Sequence, residues 1–292
     1  MDKRVAYVGL VFVAAVWGAT FPIIKETLLY IGPISFLFFR FALASVIMMP
    51  FVVKKIRKKD AIYGTIVGIP LALGYVTQTI GLQYTSPSMS GLITGIYVVL
   101  TPILSIFILR IPKDPVKIYL AMTAFAGMAL MTVSSTSGET LGNILTVFTA
   151  VFYALQIVLT EKYLGDGDPL VFTFFEILIV AVFSLIFDPL SVINSEVLGN
   201  GYVLFSVIFN GAVGSFLAIW IMTVAIREIS GYVSALILVL EPVFAVLIST
   251  LVFHFRISSL MLVGGAIIVT SMFLAIRREN KKSTVKTETK SV

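Results

Sequence analysis

Ten long apolar stretches follow one another along this sequence, separated by short polar connections. Each holds about 17 to 25 residues, and a helix of about 20 residues crosses a bilayer core of about 30 Å. The stretches are continuously apolar, whereas the strands of a membrane barrel alternate with a period of two. The pattern therefore predicts an all-α membrane protein with ten transmembrane helices. The predicted spans are residues 5–25, 34–53, 61–83, 88–109, 116–134, 141–161, 169–188, 202–226, 231–253 and 257–276.

The composition excludes several classes of protein. Of the 292 residues 59% are hydrophobic and 12% are charged, whereas a soluble domain has about 25% charged residues. With no cysteine and a single histidine, His254, the chain lacks the usual ligands of zinc sites and the base of a histidine triad. The ATP-binding pattern G-x-x-x-x-G-K-[ST] is also absent. We therefore expect no cofactor and no enzymatic activity.

The basic residues predict the orientation. The net charge is +6, but lysine and arginine lie in short connections and near the C-terminus rather than on a soluble face, so we expect no nucleic-acid partner. Of 21 such residues, 18 fall on one side of the predicted bundle, against Lys25 and Arg256 on the other. The positive-inside rule then places both termini in the cytoplasm of a plasma (inner) membrane protein. Reading residues 5–25 as a cleaved signal peptide would reverse this asymmetry, so we interpret them as an uncleaved span.

The two halves of the sequence repeat each other. Residues 33–40, PISFLFFR, align without gaps on residues 169–176, PLVFTFFE, and the same offset places Trp17 on Tyr153. With five spans in each unit, the second unit enters the membrane from the opposite face, an inverted repeat that is typical of secondary transporters. The predicted units are a first repeat at 1–135, a second, inverted repeat at 136–277 and a disordered basic cytoplasmic tail at 278–292.

A second alignment concerns the fourth and ninth spans. Residues 101–104, TPIL, match residues 241–244, EPVF, and residues 90–93, SGLI, match residues 234–237, SALI. The two matches are compatible only if four residues are inserted in the first half. This predicts one additional helical turn in the fourth span.

Several short strings appear in a fixed order in this ten-span chain. They are Trp17-Gly18-Ala19-Thr20-Phe21, Phe38-Phe39-Arg40, Tyr97-Val98-Val99-Leu100-Thr101-Pro102 and Glu241-Pro242-Val243-Phe244-Ala245. In these strings the chain resembles the EamA-type carriers of the drug/metabolite transporter superfamily, over residues 5–277. The resemblance implies a ten-helix inverted repeat that transports amino acids, other small metabolites or drugs. The Gly-Glu-Arg-like turn that members often carry after the fourth and ninth spans is missing here. The triose-phosphate and nucleotide-sugar branches have paired basic residues near the ninth span, and their absence here disfavours phosphorylated substrates.

Three charged residues lie well inside the predicted spans, away from their ends, where each charge costs about 2.5–3.5 kcal/mol. We predict that Arg40 holds a substrate carboxylate and that Glu176 meets an amine or titrates a proton. Glu241 precedes Pro242, which frees backbone carbonyls, so it is a candidate to bind a proton or an amine. The alternative for each charge is structural: it satisfies freed backbone groups or a hydroxyl, or, for Glu241, a protonated carboxyl bonds across helices.

Large amphipathic side chains inside the spans are expected to surround a central cavity that binds a small solute. Taken singly, each is more typical of helix packing or of an interface belt than of a ligand contact. They are Trp17, Tyr75, Gln78, Tyr97, Tyr153, Gln156 and Trp220. Prolines inside the spans predict helix kinks, and these are Pro22, Pro70, Pro102 and Pro242.

Two kinds of glycine-containing pattern, G-x-x-x-G and G-x-G-D, each allow two interpretations. The G-x-x-x-G strings at 64–68 and 91–95 predict close helix contacts within the chain rather than dimerisation, so we expect a monomer or a weak dimer. Residues 165–168, GDGD, match the G-x-G-D string of intramembrane aspartyl proteases. They lie in a connection between spans, where glycine and aspartate form turns, and we interpret them as a turn.

The sequence thus predicts a secondary transporter that moves a small metabolite by alternating access. We expect an amino acid or a related solute, in the export direction, either down its gradient or coupled to protons. The alternatives are a passive, channel-like facilitator and a drug exporter of the same fold. The expected partners are this small-molecule substrate, protons and the lipid bilayer.

Overall fold

The computed structural model describes residues 2–132, 140–193, 197–253 and 258–288. Within these ranges the chain forms helices and no β-strand, which confirms the all-α class. The helices are α1 (Lys3–Thr27), α2 (Pro33–Val52), α3 (Lys58–Tyr84), α4 (Pro87–Thr94), α5 (Tyr97–Ile108), α6 (Pro115–Thr132), α7 (Thr140–Tyr163), α8 (Pro169–Phe187), α9 (Pro189–Ile193), α10 (Gly201–Phe209), α11 (Ala218–Glu228), α12 (Gly231–Leu238), α13 (Glu241–Phe253) and α14 (Ser259–Glu288). A π-helical segment, Asn210–Leu217, joins α10 to α11.

The described helices match the predicted spans. Within the described ranges, nine helical segments are long and apolar enough to cross a membrane by length and composition, and a further apolar helix, Pro115–Met131, is shorter. Three of these segments consist of consecutive helical elements: α4 with α5, α12 with α13, and α10 with the π-helical segment and α11. The polytopic helical class is therefore confirmed, while the count of ten remains a prediction. His254 and Arg256 lie outside the described residues.

The fourth and ninth spans are interrupted at equivalent positions. Helices α4 and α12 each have eight residues and begin after a serine, Ser86 or Ser230, whose hydroxyl accepts a hydrogen bond from a backbone N–H three residues later. Two residues break the helix at the end of each, and the next helices begin at Tyr97 and Glu241. The two halves therefore align here without a gap.

The predicted extra turn in the fourth span is wrong. It was inferred by aligning Pro102 with Pro242, but Pro242 lies in the first turn of α13 and Pro102 lies more than one turn into α5. When the two halves are aligned, the helix breaks fall at equivalent positions, but Pro102 and Pro242 do not. Helices α1 and α3 continue through Pro22 and Pro70.

The helices pack in a pattern that is unchanged when the two halves are exchanged. Helix α2 packs on α8 and α6 packs on α14, which are pairs of equivalent spans. The contact of α3 with α7 has its counterpart in α11 with α1, and the contact of α3 with α8 has its counterpart in the π-helical segment with α2. Such reciprocal packing is what an inverted repeat predicts.

Glycines allow the closest helix contacts. A Cβ at Gly64 would lie 2.5 Å from the Phe172 carbonyl oxygen, so α3 contacts the backbone of α8 within the chain, as predicted for 64–68. Helices α6 and α14 approach through Gly127 and Gly264, where a Cβ on either would meet the other's carbonyl oxygen. The prediction is wrong for Gly91, because no described atom lies within 4 Å of a Cβ placed there.

Residues 165–168 form the expected turn. Gly165 has a positive φ of 46°, and the Asp168 carboxylate accepts a 2.8 Å hydrogen bond from Leu170 N at the start of α8. Arg57 donates to the Asp166 carbonyl at 3.0 Å and to the Asp60 carboxylate at 2.7 Å. The hydrogen bond to Asp60 raises the pKa of Arg57 above its ordinary value.

Helix α14 continues beyond residue 277 to Glu288. Arg278 pairs with Asp114 at 3.0 Å, and the Tyr7 hydroxyl donates to Asn280 Oδ1 at 2.9 Å. Residues 278–288 thus continue the helix, and the contacts of Arg278 and Asn280 hold the start of this extension near α6 and α1. Residues 289–292 lie outside the described ranges.

Candidate substrate cavity

A small cavity lies between the two halves, bounded by side chains from α1, α2, α3, α7, α11 and the interrupted fourth and ninth spans. Its volume is about 60 Å³, which is room for a few water molecules. Eight of the ten predicted binding residues line it, and Glu176 and Trp220 do not. The eight are Trp17, Arg40, Tyr75, Gln78, Tyr97, Tyr153, Gln156 and Glu241.

Arg40 provides a buried cation in the wall of the cavity. Its side chain is 2% exposed, Nε donates to Ser215 Oγ at 2.7 Å, and the guanidinium lies 4.8 Å from the centre of the Tyr75 ring. Among the described side chains no carboxylate lies within 4.0 Å of it. Hydroxyl and carbonyl dipoles and ring faces therefore surround this charge without neutralising it, so the site favours an anion.

The π-helical segment supplies a backbone acceptor beside Arg40. The Gly214 carbonyl accepts a 2.8 Å hydrogen bond from Trp17 Nε1 and a 3.4 Å bond from Arg40 Nη2. Wide π-helical turns change the backbone bonding of a helix and often occur at functional sites. Sequence reasoning missed Gly214 and Ser215, although the polar string NGAVGS at 210–215 interrupts an apolar span and is the signal that could have indicated them.

Glu176 lies behind the cavity wall. It is fully buried, its Oε1 accepts a 2.8 Å hydrogen bond from Gln156 Nε2, and its Oε2 accepts a 3.4 Å bond from Thr223 Oγ1. Gln156 itself lines the cavity. In this structure Glu176 therefore reaches the cavity through the Gln156 amide, and its predicted contact with an amine or a proton remains a prediction.

Glu241 is the second charged side chain of the lining. The Tyr97 hydroxyl donates to Glu241 Oε1 at 3.4 Å. Because both residues begin a helix just after a break, the interruption brings their side chains together between the halves. In the described part of the chain, Arg40 and Glu241 are the only charged residues that line the cavity.

Hydrogen bonds fix further polar groups of the wall. The Tyr153 hydroxyl donates to Gln78 Oε1 at 2.9 Å, and Gln78 Nε2 donates to Thr94 Oγ1 at 3.3 Å. Trp220 instead contacts the Phe216 ring, with the ring centres 6.4 Å apart. No group of three histidine, aspartate or glutamate residues that could hold a metal ion occurs in the described ranges.

A larger, mostly apolar cavity adjoins the first. Its volume is about 320 Å³, within the range of about 300–1,000 Å³ of small-molecule sites. Of its described lining residues Glu241 is the only charged one, and Met128, Met131 and Met261 provide flexible apolar surface. The residues that line both cavities are Phe21, Thr94, Tyr97, Leu238 and Glu241.

The chain is similar to several curated proteins along most of its length. It is 29% identical to an uncharacterized transporter of Archaeoglobus fulgidus, with 95% of this chain and 88% of that protein covered. It is also 29% identical to the uncharacterized transporter YyaM of Bacillus subtilis, with 94% of this chain and 96% of that protein covered. A second protein of that species, the uncharacterized transporter YvbV, is 26% identical, with 91% and 89% covered.

A solved crystal structure has the same fold. It matches with a TM-score of 0.78 and covers 96% of this chain and 99% of its own, at 14% sequence identity. The sequence profile of the EamA-like transporter family matches this chain twice, over residues 4–133 and 140–277. The two matches fit the internal repeat. The chain is thus a multi-pass membrane protein and belongs to the EamA-like transporter family.

Proposed function

We propose that this protein is a secondary transporter that exports a small zwitterionic metabolite, an amino acid or a related solute, by alternating access. The observation that carries the proposal is the pair of charges in the central cavity. Arg40 from the first half has no carboxylate partner among the described residues, and Glu241 from the second half supplies a carboxyl group. An amino acid carries a carboxylate for the first and an ammonium for the second.

The proposal includes the membrane location, the oligomeric state and the coupling ion of this protein. The charge asymmetry of the connections supports a plasma (inner) membrane location with both termini in the cytoplasm. The close helix contacts at Gly64 and Gly127 fall within the chain, which supports a monomer or a weak dimer. Protons are the proposed coupling ion, bound at Glu176 or Glu241.

The test is transport by purified protein in liposomes. Labelled amino acids are supplied singly, with and without a pH gradient, and initial uptake is measured against concentration. We expect saturation, and faster uptake when the vesicles contain the unlabelled amino acid, because a carrier site faces one side at a time. Flux that neither saturates nor responds to internal substrate would indicate a passive, channel-like facilitator instead.

The larger cavity favours a second candidate, a drug exporter. Its methionine-rich surface suits bulky apolar groups of varied shape, and it adjoins the central cavity at Glu241. In the same vesicles an apolar organic cation would then compete with, or replace, the amino acid. An absence of competition at saturating concentration would exclude this candidate.

A further inference from the structure

Two charged side chains at equivalent positions hold the two hairpins that join the third and fourth spans of each half. Lys25 lies near the end of α1 and Glu161 near the end of α7, separated by the same offset as Arg40 and Glu176. Lys25 contacts the hairpin between α3 and α4, and Glu161 contacts the hairpin between α11 and α12. The two contacts thus occupy equivalent positions in the two halves, but the side chain that makes the contact is a cation in the first half and an anion in the second.

The Lys25 ammonium binds the end of α3. Its Nζ donates to the carbonyl oxygens of Leu82, Gln83 and Thr85 at 2.6, 3.0 and 3.1 Å. The last carbonyls of a helix lack partners within it and form the negative end of its dipole. All three protons of the ammonium are therefore used where a cation is favoured. Leu82 also lines the central cavity, so this contact joins the hairpin to the cavity wall.

The Glu161 carboxylate binds the start of α12. Its Oε2 accepts a 2.8 Å hydrogen bond from the backbone N–H of Gly231, the first residue of that helix. The first N–H groups of a helix lack partners within it and form the positive end of its dipole. A Cβ at Gly231 would lie 2.8 Å from this Oε2 and 2.9 Å from Ile157 Cγ2. The contact therefore depends on glycine at position 231.

The two contacts lie at opposite ends of the bundle. Asn143, in the first turn of α7, accepts a 2.9 Å hydrogen bond from Thr85 in the hairpin that Lys25 holds. Glu161 is in the last turn of the same helix. At 1.5 Å per residue the two positions are about 27 Å apart along α7, close to the thickness of a bilayer core of about 30 Å.

We propose that Lys25 and Glu161 are positioning residues that hold these two hairpins closed, one at each face of the membrane. Loss of the Lys25 contact opens the central cavity toward the face of the α3–α4 hairpin, and loss of the Glu161 contact opens it toward the opposite face. The proposal rests on the alternating access proposed above. It places the control of access in single side chains outside the cavity.

The test uses the absence of cysteine from the sequence. A single cysteine replaces Leu71, which lines the cavity and is 3% exposed, and a membrane-impermeant maleimide is added to one face of sealed vesicles of known orientation. In this parent we compare Lys25→Met with Glu161→Met. We expect labelling from the α3–α4 face to rise several-fold in Lys25→Met, and labelling from the other face to rise several-fold in Glu161→Met.

Neighbouring charges provide matched controls. Glu26→Met and Lys162→Met remove a charge at the same two faces; the side chain of Glu26 contacts Tyr30, and that of Lys162 contacts the Tyr163 ring. Both controls are expected to label like the parent. Parent-level labelling in Lys25→Met and Glu161→Met, or a rise at both faces in either variant, would overturn the proposal.

Two further variants keep the test decisive if a methionine variant does not fold. Lys25→Gln shortens the side chain and removes its charge, and Gly231→Ala places a Cβ 2.8 Å from Glu161 Oε2, so the carboxylate must shift from its contact with α12 while all charges remain. Each is expected to raise labelling at its own face, and parent-level labelling would again overturn the proposal. Labelling needs no substrate, so one-sided labelling without saturable amino-acid uptake would contradict the proposed transport of amino acids, while the opening of the cavity toward one face and this inference would stand.

Discussion

The Tyr97 hydroxyl donates a 3.4 Å hydrogen bond to the Glu241 carboxylate, and the two residues occupy equivalent positions in the two halves. Each begins a helix directly after a two-residue break. The hydrogen bond therefore joins the two halves at the point where the fourth and ninth spans are interrupted. Broken helices of this kind place backbone and side-chain polar groups at the centre of transporters. We expect a substrate amine at Glu241, as proposed above, to replace or share the Tyr97 hydrogen bond.

This relationship predicts the effect of Tyr97→Phe. The change removes one hydrogen bond of about 0.5–1.5 kcal/mol and keeps the ring, so we expect the half-saturation concentration for uptake to change by up to about tenfold. Tyr163→Phe is the matched control, because that ring stacks on Tyr63. Equal kinetics in both variants would show that the Tyr97 hydroxyl has no part in binding.

Arg40 is expected to recognise the substrate carboxylate. Arg40→Lys keeps the charge but loses the planar group that reaches Ser215 and stacks near Tyr75. We expect uptake of amino acids to fall about tenfold to a hundredfold, corresponding to about 1.5–3 kcal/mol for a charged hydrogen bond. Uptake of a matching amine without a carboxylate is the control, and an equal loss for both solutes would favour the structural role of Arg40.

The two carboxyl groups inside the spans, Glu176 and Glu241, are expected to differ. Glu241 lines the cavity and Glu176 contacts it through Gln156. We therefore expect Glu241→Gln to remove the dependence of uptake on a pH gradient, and Glu176→Gln to lower the rate while that dependence remains. Uptake in vesicles with and without the gradient measures both effects. Wild-type rates in both variants, with assembly intact, would contradict both site assignments.

The sequence predicts the repeat and most of the cavity, because charges and large polar groups are rare in the spans and each needs a polar environment. It does not predict which of them face the cavity. Gln156 lies on α7 and Glu176 on α8, and packing sets how each helix is rotated about its axis. Only the structure therefore places Gln156 in the cavity wall and Glu176 behind it. Likewise, aligning Pro102 with Pro242 gives the wrong register between the fourth and ninth spans. The correct register follows from the serine caps, because Ser86 and Ser230 each precede the first residue of a helix.

The close contact between the equivalent helices α6 and α14 predicts a stability difference between two glycine variants. In Gly127→Ala the new Cβ would lie 2.7 Å from the Gly264 carbonyl oxygen and 3.0 Å from Ile267 Cβ, so α6 and α14 must move apart at a cost of about 1–3 kcal/mol. In Gly91→Ala no described atom lies within 4 Å of the Cβ, and alanine favours a helix by about 1 kcal/mol over glycine. Thermal unfolding in detergent should therefore show a lower midpoint for Gly127→Ala and an unchanged or higher one for Gly91→Ala. The reverse order would mean that α6 and α14 do not pack through Gly127 in the membrane protein.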